Sequence, residues 1–126
     1  MNRRTFALLT TALLLLTACV EDTGPDADAC AAPTAEIELD ISADALDPND
    51  PSACRDQEVT LLITSTVDGV FHIHGYDEEV PATEISSGET VTLEFTAARS
   101  GQFPIELHPA DDPEGVEIGV FTAHEP

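Results

Sequence analysis

The sequence predicts an all-β sandwich, and three observations carry that prediction. Apolar and polar residues alternate with period two in a series of short segments from Ala35 onward. Gly, Pro, Asp and Asn gather between those segments as turn signals. After the first 18 residues, no stretch keeps a 3.6-residue apolar period, so helices are not expected to build the core.

In chain order, Asn2-Arg3-Arg4 forms a positive start, and Phe6 to Leu16 is an apolar run broken only by Thr10 and Thr11. That run is well short of the roughly 20 residues that cross a bilayer, so residues 1–18 read as an export signal. Residues 19–34 are small, acidic and poor in large apolar side chains, the composition of a tether. The folded domain is then expected over residues 35–126. Ile37, Leu39 and Ile41 alternate with Glu36, Glu38 and Asp40 as the first strand. Asp47-Pro48-Asn49-Asp50-Pro51-Ser52 is a turn-rich connector. Further strands are expected around Val59, Leu61 and Ile63; Val70 to His74; Val91, Leu93 and Phe95; Phe103, Ile105 and Leu107; and Val116 to Thr122.

Charge narrows the partners. The 126 residues hold 25 Asp and Glu against four Arg and no Lys, for a formal net charge of −21. Loss of Arg3 and Arg4 with the signal would take it to −23. Nucleic acid is excluded as a partner, because phosphate binding needs a basic face.

Leu16-Thr17-Ala18-Cys19 resembles the lipobox of bacterial lipoproteins. The resemblance implies cleavage before Cys19, lipidation of its sulfur, and an extracytoplasmic, membrane-anchored protein of the periplasm or cell surface. Several acyl chains on one residue anchor stably, where one chain holds only marginally. Cys30 and Cys54 remain, in a chain exported from the reducing cytoplasm, and one disulfide between them is expected. It would close a loop of about 25 residues, worth roughly 3 kcal/mol on the chain-entropy estimate. The alternative is a pair of free thiols serving as metal ligands.

From Asp68 the sequence runs Asp-Gly-Val-Phe-His-Ile-His-Gly-Tyr-Asp, then Ser87-Gly88-Glu89, Leu93-Glu94-Phe95, and Gly101-Gln102-Phe103-Pro104-Ile105-Glu106-Leu107-His108. This order of features resembles the cupredoxin family over about Glu58 to Ala123. It implies a Greek-key, cupredoxin-like β-sandwich. The family's copper-binding Cys falls on Leu107 or Glu106, and the only Met is Met1. A blue-copper site needs a Cys thiolate with two His, so the electron-transfer role does not carry over.

All four histidines lie in the part that resembles the metal-bearing half of the family. His72 matches its first His ligand, and His74, two residues on, shares the same strand face. If the strands bearing them are neighbours, as the resemblance implies, His72, His74 and His108 can converge. Cu(II) or Zn(II) suits such imidazoles, and a carboxylate such as Glu106 can complete the shell. The competing reading is a set of solvated side chains on an outer face, because Phe71 and Ile73 contend with Val70, His72 and His74 for the core. His124 is expected in an exposed tail. Asp44, Asp47, Asn49 and Asp50, with Asp111, Asp112 and Glu114, offer hard oxygen ligands for Ca²⁺ but follow no calcium-loop pattern. Ser65, Ser86, Ser87 and Ser100 lie in no nucleophile elbow, and no phosphate loop is present, so no enzyme is expected. The expectation is a lipid-anchored binding or accessory module holding copper or another divalent ion. The alternative is a metal-free structural or interaction module of the cell envelope. The sequence points to no protein partner.

Overall fold

The computed structural model describes residues 27–112 and 114–126, and among these residues the chain forms nine strands and one short helix. The expected signal, Cys19 and the start of the tether lie outside the described residues. Helix α1 (Ala27–Ala31) is followed by β1 (Thr34–Ile41), β2 (Leu46–Asp47), β3 (Ser52–Cys54), β4 (Glu58–Ser65) and β5 (Gly69–Ile73). Then come β6 (Thr83–Ile85), β7 (Thr90–Thr96), β8 (Gly101–Pro109) and β9 (Val116–His124).

The strands form two sheets, β2-β1-β4-β7 and β3-β9-β8-β5-β6. The chain passes from one sheet to the other after β2, β3, β4, β6 and β7, which gives the Greek-key sandwich. Pairing is antiparallel except for β1 with β4 and β3 with β9. Strand β7 is an edge of its sheet along seven residues, whereas the other edges, β2, β3 and β6, run for two or three.

All six strands expected from alternation are present. Their inward residues meet in the core: Leu39 and Ile41 from β1, Val59, Leu61 and Ile63 from β4, and Phe95 from β7. These face Phe71 and Ile73 from β5, Ile105 and Leu107 from β8, and Phe121 from β9. Burial of that apolar surface drives the sheets together. At one end Tyr76, wholly buried, sits edge-on to Phe103 at 4.4 Å between ring centroids, and to Phe95 and Phe121 at 5.8 Å.

The end of the expected tether is docked. Cys30 and Cys54 form the expected disulfide, with Cα atoms 5.4 Å apart. Beside it the buried Gln57 amide joins three backbone groups. Its Oε1 accepts from Cys54 N–H at 2.7 Å, and its Nε2 donates to the carbonyls of Ala29 and Ala32, both at 2.8 Å. A buried amide left without these partners would be costly, so the same contacts that satisfy it fix α1 against the start of β4.

Candidate metal centre

Strands β5 and β8 settle the parity that the sequence left open. They pair antiparallel with Phe71 opposite Leu107 and Ile73 opposite Ile105, and all four side chains are buried. Side chains alternate along a strand, so the residues between them must point outward. His72 therefore lies opposite Glu106, and Val70 opposite His108, on the outer face of the five-stranded sheet.

There one donor atom from each of His72, Glu106 and His108 lies within 4.8 Å of the others. Glu106 Oε2 is the shared corner, 3.8 Å from His72 Nδ1 and 3.5 Å from His108 Nε2. The three side chains are neither sealed nor fully solvated, with 18% of His72, 30% of Glu106 and 36% of His108 exposed. An ion can reach them, and their rotamers are still restrained by neighbours. Around them stand further carboxylates: Glu117 is the register partner of Glu106 on β9, and Glu84 that of Val70 on β6. The register shifts between Ile105 and Glu106, so that Ile118 turns into the core while Glu117 stays outside.

Two features hold the imidazoles. Gly115 lies close to His108, and a Cβ there would come within 2.6 Å of the ring's Cε1. A side chain at this position would push the His108 ring aside. His72 Nε2 is hydrogen-bonded to Asp77 Oδ1, and this bond holds the Asp77 carboxyl below its ordinary value. Asp77 sits on a turn that begins at Gly75, whose φ of +82° suits glycine. Tyr76 anchors that turn: its N–H donates to Ile73 O at 3.0 Å, and its hydroxyl donates to Arg99 O at 2.8 Å.

His74, named with His72 and His108 from the sequence, is exposed at the end of β5. Its ring centroid lies 5.8 Å from that of His72, outside the three-residue group. His124 closes β9 rather than trailing free; it is partly buried, and its carbonyl accepts from Arg55 N–H at 2.7 Å. Among the described residues, neither acidic loop draws three donors together as His72, Glu106 and His108 do. Asp112 instead accepts from Glu114 N–H at 2.9 Å. Sequence reasoning named Glu106 only as a completing ligand and missed Asp77 and Gly115. Asp77, five residues after His72 across a Gly-Tyr turn, carried a signal in its spacing; Gly115 carried none.

Set beside solved structures, the chain overlays a laccase from B. aclada with a TM-score of 0.56 and 17% identity, covering 74% of this chain and 23% of the laccase. It overlays auracyanin B at 0.52 and 14%, covering 71% and 89% respectively. The fold is cupredoxin-like. A multicopper oxidase from Pseudomonas thermotolerans gives 0.55 at 14% identity, with 73% of this chain and 30% of that one covered. The cupredoxin-like domain thus spans less than a third of either oxidase. At these identities the likeness is one of fold. No protein-family model and no curated protein sequence matches the chain.

Proposed function

We propose that the chain is a lipid-anchored, extracytoplasmic binding module whose cupredoxin-like sandwich holds one divalent ion, Cu(II) foremost, at His72, Glu106 and His108, with His74 at the margin. The convergence of three donors on one sheet face carries this reading. Two imidazoles and a carboxylate are a donor set for Cu(II) and Zn(II), and the surrounding carboxylates favour a cation. The module is neither a blue-copper electron carrier nor an enzyme. In support, neither Leu107 nor Glu106, the two positions on which the family's thiolate falls, is a cysteine, and Cys30 and Cys54 are bonded to each other. The anchor rests on the Leu16-Thr17-Ala18-Cys19 motif.

A second reading, a metal-free envelope module, draws on the same contacts. His72 and His108 already meet carboxylates, as an ordinary surface network of ion pairs does. Copper titration followed by metal analysis separates the two. The metal reading expects one Cu(II) per chain, a pale spectrum without the intense band of Cu–thiolate bonding, and weaker binding in acid as protons compete for the imidazoles. His72→Ala or His108→Ala should weaken binding strongly, and His124→Ala little. Unchanged affinity in a His72→Ala, His108→Ala double variant would show that these residues hold no metal, and a parent that retains no copper under copper-replete conditions would decide for the metal-free module.

A further inference from the structure

We infer that Asp77 is the positioning residue of the metal centre: it fixes His72 in the Nε2–H tautomer, so that Nδ1 is the atom that meets the ion. This inference rests on the metal-binding reading of His72, Glu106 and His108. A neutral imidazole carries one N–H and one lone pair, and an ionised carboxylate only accepts. With Asp77 Oδ1 bonded to His72 Nε2, the proton belongs on Nε2 and the lone pair on Nδ1. Nδ1 is also the nitrogen that faces Glu106 Oε2, at 3.8 Å, while His108 meets the same oxygen through Nε2, at 3.5 Å. A tetrahedral ion with bonds of about 2.0–2.2 Å holds its donors about 3.4 Å apart, so both pairs need only a small inward shift to bind it. The two histidines thus ligate through different nitrogens.

The Asp77 side chain can impose this because its backbone is fixed independently of the sheet face. Tyr76 is buried and bonded at both its N–H and its hydroxyl, and its carbonyl accepts from Val80 N–H at 2.8 Å. The turn therefore presents Asp77 to His72 from outside β5, where it shares neither strand nor register with the ligands. Carboxylates placed behind ligating histidines in this way orient the ring and raise its basicity. Asp77 is 61% exposed, so removing its carboxylate leaves the core intact.

The test is Zn(II) binding to the purified full chain, labelled with ¹⁵N and followed by imidazole NMR. In the Zn(II)-loaded protein His72 Nδ1 should carry the metal and Nε2 should keep its proton. Asp77→Ala should weaken Zn(II) binding by about 10- to 100-fold and mix the His72 tautomers, and Asp77→Glu should restore much of both. Zinc on His72 Nε2, or an Asp77→Ala affinity within about twofold of the parent, overturns the inference while the metal centre stands. Should the parent bind Zn(II) and Cu(II) no better than a His72→Ala, His108→Ala variant, the metal reading falls and takes this one with it.

Discussion

Tyr76 is the only tyrosine in the chain and is wholly buried. Burial raises its pKa above the ordinary value, an effect that the Glu79 carboxylate reinforces and the Arg99 hydrogen bond and charge oppose. A raised pKa in the folded state contributes stability that is fully present below the unfolded value near 10 and is lost as pH rises through the folded one. Alkaline titration should therefore show tyrosinate absorbance only as near-UV circular dichroism collapses, above about pH 10. Ionisation with the fold intact at the ordinary value would contradict this. Tyr76→Phe should cost about 1–3 kcal/mol in chemical denaturation, because Arg99 loses the hydroxyl that accepts from its N–H and donates to its carbonyl. At this scale the sequence is legible only in part. His72, His108 and Glu106 announce themselves by residue type, and alternation restricts each strand to two faces. Whether Phe71 and Ile73 or Val70, His72 and His74 face the core depends on the opposite sheet, which local spacing does not encode. Asp77 and Gly115 take their roles from loops, whose paths no periodicity records.

Among the elements, the six strands of five residues or more were legible because each spans at least two periods of alternation. Strands β2, β3 and β6, of two or three residues, carry no period and exist through pairing with longer neighbours. Helix α1 lies in a stretch that composition marks as tether, and tertiary contacts outweigh that local signal. The disulfide and Gln57 are those contacts, so they should account for its order. Replacing both Cys30 and Cys54 with Ser should lower stability by about 3 kcal/mol in denaturant unfolding. It should also open the chain before Thr34 to limited proteolysis while the sandwich keeps its far-UV spectrum. A variant whose α1 segment resists protease as the parent does would show that Gln57 alone suffices.

For the whole molecule, the class of fold follows from the succession of alternating segments and turns, whereas the order of strands in each sheet rests on long-range pairing. The net charge of −21 disfavours contact with nucleic-acid phosphates and surrounds His72, Glu106 and His108 with carboxylates, at the cost of self-repulsion. That repulsion also guards β7. Its Thr-Val-Thr-Leu-Glu-Phe-Thr run is, among the described residues, an edge unpaired on its outer side, of alternating, β-branched character, a template on which a second molecule can add a strand. Only Glu94 within it, Glu89 beside it and the charge of the whole molecule keep neighbours away. Below about pH 4, where ordinary carboxylates take up protons, that protection lapses. Light scattering should then rise with protein concentration, and Thr92→Lys, which keeps a charge on the edge in acid, should suppress the rise. An equal rise in the variant would place the adhesive surface elsewhere. Colloidal stability in this protein is thus expected to be a property of its acidity, with the strand that closes one sheet the line along which two molecules should meet once the charge is gone.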